Sequence, residues 1–188
     1  ELASRITAIS GGSYDVTVKP LVEAYGFAGK QRQSVVNVDS LLEFVGAEKL
    51  RIEGDRVVKS DSRVQIDFNS IAKGYTVDLL AEELEKMEIE NYIVDIGGEA
   101  RCKGVNSKGG AWRIGIETPF DGNNTAGEHI QQVISLSDCA LATSGNYRRF
   151  YLDESGRKVS HTIDPRTGLS VVSDLLSVTV IAPTCAEA

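Results

Sequence analysis

Ile66-Asp-Phe-Asn-Ser-Ile-Ala-Lys-Gly-Tyr75 reads as the point where an apolar strand turns into a helix. From Arg63 to Phe68, charged or polar residues alternate with Val64, Ile66 and Phe68, which is strand period. Asn69 and Ser70 are good helix N-caps. Ile71 to Met87 then carries helix-compatible apolar spacing at Tyr75, Leu79, Leu80, Leu84 and Met87. A helix start leaves backbone N–H groups unpaired and carries a positive partial charge. Lys73 lies in that first turn, where the same dipole disfavours a cation. A cation beside free N–H groups suits a bound anion; a solvated surface lysine fits the turn equally well. Asp67, a carboxylate at the strand end, inclines the reading toward a phosphate site.

Outward from this stretch, Leu2 to Ile9 reads as the end of a helix broken off upstream, stopped by Gly11-Gly12. Ser13 to Val18 is a short polar–apolar segment closed by Pro20, and a helical stretch runs from Leu21 to Gly26. A short helix follows from Ser40, as cap, to Val45. Leu50 to Val58 folds back at Gly54-Asp55, a hairpin signal. Beyond Met87, Tyr92 to Ile96 is a strand ending at Gly97-Gly98-Glu99. Strand, helix and strand would then form a crossover unit whose strand ends open on one crevice. Further strands are expected at Trp112–Glu117, Ile130–Leu136, Ala140–Thr143, Arg148–Leu152 and Leu175–Ile181. Loops are expected at Phe120–Glu128 and Ser160–Gly168. The pattern implies an α+β fold with a mixed β-sheet, in one unit over residues 1–188.

The 188 residues are 41% hydrophobic and 25% charged, ordinary for a globular chain with a core. A net charge of −7 without a basic run makes nucleic acid and anionic membrane poor partners. No apolar stretch approaches the length of a membrane span. Cys102, Cys139 and Cys185 are three, widely spaced and without metal-ligand spacing, so free thiols are expected.

Several residue types suit chemistry. His161 stands near Asp164 and Arg166, and imidazole is the side chain best matched to proton transfer near neutral pH; a loop histidine held by a carboxylate would look the same. His129 sits in a polar loop. Asp15, Asp67, Asp95, Glu99 and Asp164 lie at strand ends or in glycine-containing turns, as oxygen ligands of Mg²⁺ would. Gly97-Gly98 would let a flat ring or a phosphate approach the backbone. A rival set exists: Ser70-Ile-Ala-Lys73, Ser144-Gly-Asn146 and Arg166-Thr-Gly168 approximate the three motifs of serine acyl enzymes of the penicillin-binding class, with Ser70 as nucleophile. Its third motif falls in a turn rather than on a strand.

Six segments together resemble the ApbE family of flavin transferases, which use FAD to attach FMN to a threonine or serine of another protein. They are Gly12–Val18, Ile66–Asp78, Val94–Glu99, Ala142–Tyr147, Ser160–Gly168 and Ser177–Pro183, in the family's order. The most telling is Ser160-His-Thr-Ile-Asp-Pro-Arg-Thr-Gly168. The resemblance implies that Ser13, Tyr14, Asp15, Asp67, Lys73 and Ile163 contact FAD. It implies that the Ser70 carbonyl helps hold Mg²⁺ and that His161 belongs to the flavin site. Gly97, Gly98 and Ser144–Asn146 would shape the crevice. Lys73, Asp67 and His161 are the catalytic candidates, the last two as proton acceptors. An FAD pyrophosphatase and a non-catalytic flavin-binding module share these residues. Family members continue after Ala188 with an Asp and a Thr of the metal site, and begin with an upstream segment over the FAD. Export to the periplasm or cell envelope, with a lipid anchor upstream, is also implied.

Overall fold

The computed structural model describes residues 1–29, 32, 36–123, 125 and 127–188. In chain order the elements are α1 (Leu2–Ile9), a 3₁₀ turn at Val16–Val18, α2 (Lys19–Ala24), α3 (Val38–Leu42), a 3₁₀ turn at Ala47–Lys49, β1 (Leu50–Glu53), β2 (Arg56–Lys59) and α4 (Asn69–Lys86). There follow β3 (Tyr92–Ile96), β4 (Glu99–Lys103), β5 (Trp112–Glu117), β6 (Ile130–Leu136), β7 (Cys139–Gly145), β8 (Phe150–Leu152), β9 (Lys158–Ser160) and β10 (Ser177–Ala182). The α+β class is as the sequence implies.

These elements group into two compact units, each made of two stretches of chain. Glu1–Phe68 with Arg149–Ser173 holds α1 to α3 and the hairpins β1–β2 and β8–β9. Its core is Leu21, Val45 and Ile163, with Val18, Val22, Tyr25, Leu41 and Leu42 against them. Asn69–Arg148 with Asp174–Ala188 holds α4, a four-stranded sheet in the order β10-β7-β4-β3, and the hairpin β5–β6. Here Val77, Ala140 and Cys185 form one cluster, and Cys102, Leu136 and Leu141 another. Each fully buried aliphatic side chain contributes about 2 kcal/mol of transfer free energy.

The strand expected at Arg63–Phe68 does not form, and with it goes the crossover unit. The sequence alternation does not carry through to burial: Val64 is fully buried and Gln65 exposed, but Ile66 and Asp67 are both half-buried and Phe68 is 51% exposed. What the segment lacks is a ladder: Asp67 N–H donates to the Val16 carbonyl (2.7 Å), and the Lys59 ammonium donates to the carbonyls of Ser62 and Val64 (2.9 and 2.8 Å). A period of two in the sequence does not by itself supply a partner strand. The pairings between described strands are all antiparallel, where a mixed sheet was expected.

Local signals set several boundaries. Gly54, with φ +62°, turns the β1–β2 hairpin. Pro20 sits in the first turn of α2 instead of closing the segment before it, because its missing N–H costs nothing there. The cap of α3 is Asn37, whose side-chain oxygen accepts the Ser40 N–H (3.2 Å), not Ser40. Of the expected loop Phe120–Glu128, Asn124 and Ala126 lie outside the described residues.

Helix α4 buries a different stripe from the one its large apolar residues mark. Gly74, Val77, Asp78 and Ala81 face inward, while Tyr75, Leu79, Leu80 and Met87 are exposed. Small residues win because the helix lies close to its neighbours. A Cβ on Gly74 would stand 2.5 Å from the Cys185 carbonyl oxygen.

Candidate functional site

Within the second unit, the first turn of α4 carries the charge. Lys73 reaches Glu99 at the start of β4, its Nζ 2.5 Å from Oε2. The lysine side chain is 51% exposed and the carboxylate 15%, so the ammonium faces solvent from a fixed anchor. Gly97 (φ +62°) and Gly98 (φ +97°) make the tight β3–β4 turn beside it, which both positive φ values require. A Cβ on Gly97 would lie 3.8 Å from the Lys73 Nζ, and one on Gly98 would meet nothing. Gly98 N–H donates to Asp95 Oδ1 (3.1 Å), which fixes the turn. Ser70 is exposed at the opening of the helix. At the end of β7, Asn146 donates its N–H to the Leu176 carbonyl (3.0 Å) and its Nδ2 to Leu175 O (3.3 Å). Its Oδ1 is buried with no hydrogen-bond partner.

Beneath this surface lies a clamp that the sequence reading did not single out. Asp78, 5% exposed, accepts the N–H groups of Cys185 (2.9 Å) and Ala186 (2.8 Å) and the Arg101 guanidinium (3.1 Å). It ties α4 to the chain after β10, at the place where Gly74 lets that chain come close. The available signal was a carboxylate on the Gly74–Val77–Ala81 stripe, where an unpaired charge would not survive burial. Burial, and then the Asp78 charge, push the Cys185 thiol up to about 12.

In the first unit, Gly11 and Gly12 close α1 with positive φ, and Gly12 N–H donates to the Thr7 carbonyl (3.0 Å). Ser13 is exposed and Tyr14 half-buried, its N–H on Ser10 Oγ (3.2 Å). Asp15 is buried. Its carboxylate accepts Thr17 N–H (2.8 Å), the Thr17 hydroxyl (2.6 Å) and Ala47 N–H (2.7 Å), while Gly46 N–H donates to Thr17 Oγ1 (2.6 Å). A cleft of about 340 Å³ opens here, lined by Thr7, Gly12, Asp15, Gly46, Pro165 and Arg166 among others. The Arg166 guanidinium is held by both oxygens of Asp164 (2.9 and 2.7 Å), which keeps the Asp164 carboxyl below its usual range.

His161 is half-buried, with Nδ1 3.3 Å from the Arg149 carbonyl and its ring edge-on to Phe27. Burial pushes its pKa down from 6.5, so the imidazole is neutral at pH 7. Ile163 is buried in the core cluster with Leu21 and Val45. Asp67 is half-buried. The expected site residues thus divide: Ser13, Tyr14, Asp15, Asp67, His161 and Ile163 belong to the first unit, and Ser70, Lys73, Gly97 and Gly98 to the second. Among the described residues no group of three or more His, Cys, Asp or Glu is placed to hold a metal ion.

Comparison with known proteins agrees along the chain. The ApbE family model matches residues 1–188. The FAD:protein FMN transferase of Vibrio cholerae serotype O1 is 41% identical over 190 residues, 99% of this chain and 55% of that protein. Its namesake in Haemophilus influenzae is 39% identical, covering 97% and 54%. Among solved structures, the flavin transferase ApbE from Vibrio cholerae superposes with a TM-score of 0.82 at 39% identity, over 99% of this chain and 59% of that one. The ApbE protein from Thermotoga maritima gives 0.83 at 28% identity, over 98% and 59%. The chain spans about half the length of the curated relatives it matches. A match to the family model from first residue to last, with a relative 41% identical over 99% of the chain, means that this chain belongs to the ApbE family.

Proposed function

We propose that the protein carrying this chain transfers FMN from FAD to a threonine or serine hydroxyl of an acceptor flavoprotein, with release of AMP. The names of its relatives support the reading. The observation that carries it is the Lys73 ammonium, held at the N-terminus of an 18-residue helix beside a glycine turn with open backbone. That is a setting for the oxygens of a pyrophosphate.

In the proposed reaction the acceptor hydroxyl oxygen attacks the FMN phosphorus of FAD. The bond from that phosphorus to the bridging oxygen breaks, and AMP leaves with that oxygen. The hydroxyl proton passes to a base, for which His161 and Asp67 are the candidates; a neutral His161 is in the protonation state a base needs. Negative charge gathers on the phosphate oxygens in the transition state, where Lys73 and the N–H groups of the first turn of α4 stabilise it. Mg²⁺, expected with Ser70 as a ligand, finds no three-residue ligand cluster among the described residues. Residence in the periplasm or cell envelope, with a lipid anchor, belongs to the same proposal and is tested by cell fractionation.

The deciding assay incubates the protein with FAD and a threonine-containing acceptor, and identifies the products by mass spectrometry. FMN on the acceptor with AMP released is the expected result. Free FMN and AMP with an unlabelled acceptor would make the protein an FAD pyrophosphatase instead. Binding without products would make it a flavin-binding module. Lys73→Ala is expected to lower transfer at least tenfold, about the loss for one charged hydrogen bond to the transition state. His129→Ala serves as the control, and equal losses in the two variants would remove Lys73 from the chemistry.

A further inference from the structure

Cys102 and Cys139 are far apart in sequence but stand directly opposite each other, as the last paired residues of the β4–β7 ladder. Directly opposite residues on antiparallel strands share a face, with Cβ atoms about 5 Å apart and Cα atoms about 4.5–5.5 Å apart. That Cα spacing falls within the range a disulfide spans. Both thiols lie in one apolar cluster with Leu136 and Leu141, which confirms the shared face. The Cys102 thiol donates to the Cys139 carbonyl (3.5 Å), so its sulfur already leans toward the opposite residue. Neighbouring contacts pin the strand ends: Gly104 N–H donates to Asp138 Oδ1 (3.0 Å) and the Ser137 hydroxyl to Gly104 O (2.6 Å). The two cysteines differ in access, since Cys102 is 2% exposed and Cys139 half-buried. Cys185 belongs to a separate buried cluster.

We propose that Cys102 and Cys139 form a dithiol–disulfide pair, closed by exchange with a small-molecule disulfide such as oxidised glutathione. Cys139, the accessible member, attacks one glutathione sulfur as its thiolate and releases one reduced glutathione. Cys102 then loses its proton to solvent and attacks the Cys139 sulfur, releasing the second. Two protein thiols are oxidised and one disulfide is reduced. Burial pushes the Cys102 thiol up, so it is a poor first nucleophile and acts only against a sulfur already beside it. The bridge would fasten β4, which begins with the Lys73 partner Glu99, to β7.

The test equilibrates the purified protein with glutathione buffers of graded oxidation, traps free thiols by alkylation, and maps the unreduced digest by mass spectrometry. A peptide pair joining Cys102 to Cys139 is expected, disappearing on dithiothreitol treatment, with Cys185 alkylated only after unfolding. The bridge is also expected to survive Cys185→Ser and to raise the melting temperature of the oxidised protein, a rise that Cys139→Ser abolishes. A glutathione adduct left on Cys139 with Cys102 still free would overturn the proposal. So would a bridge through Cys185, one between two chains, or no oxidation at any buffer ratio.

Discussion

Lys73 and Glu99 set the charge of the candidate anion site. Because the ammonium is half-exposed and its carboxylate partner is not, a phosphate bound as proposed would compete with Glu99 for it. Glu99→Gln is expected to tighten FAD binding by about two- to fivefold at low ionic strength, the size of a partly exposed ion pair, and the gain should shrink with salt. Flavin fluorescence titration reads this directly. Weaker binding by the variant would show that Glu99 holds the lysine in place and does not compete. At His161 the sign of the pH effect follows from burial. Its folded pKa lies below the 6.5 of an unperturbed imidazole. As pH falls through that value the unfolded chain takes up the proton first, so the contribution of His161 to stability is lost on acidification. Urea unfolding of wild type and His161→Gln between about pH 7.5 and pH 5 checks it; the variant should lose less stability across that window. Parallel curves would mean that His161 titrates as it does in solvent.

At the scale of elements, α4 is held by small residues and one buried carboxylate. Its outward leucines and tyrosine contribute little, since they remain exposed. Asp78→Ala leaves two backbone N–H groups without their acceptor and removes the nearer carboxylate from Arg101, which keeps only Glu85 at 3.5 Å, so a loss of about 3 kcal/mol is expected. Gly74→Ala forces a methyl against the Cys185 carbonyl and should cost about 2 kcal/mol. Denaturant midpoints measure both. Changes under about half a kcal/mol would mean that residues 184–186 move away at no cost, and the clamp would then have no energetic content. Neither position is legible from propensity. Period 3.6 locates a helix but does not choose which of its stripes meets a sheet.

At the scale of the molecule, ligand binding links the site to stability. FAD at a hundred times its dissociation constant should stabilise the fold by about 2.7 kcal/mol, a rise of a few degrees in melting temperature. Lys73→Ala should show a smaller rise at the same FAD concentration, and equal shifts would place the bound pyrophosphate elsewhere. The net charge of −7 makes a local cation the more important for an anionic substrate. The two compact units also explain why the expected site residues divide as they do. The motif at 66–75 crosses from one unit to the other after Phe68, and nothing in its composition marks the change.

Local chemistry alone determined much of this protein. Glycine turns and alternation placed β3, β5 and β6 at their observed bounds, and Gly54-Asp55 the first hairpin, because turn geometry and side-chain period are properties of a few consecutive residues. The order of the six motif segments likewise sufficed to indicate the family. Tertiary structure decided the rest: that residues 63–68 have no strand to pair with, that α4 turns Gly74 and Asp78 inward, that Glu99 receives Lys73, and that Cys102 faces Cys139. Each of these depends on which distant segment arrives alongside. That arrival is settled by packing and register across the whole chain, and no window of neighbouring residues carries it.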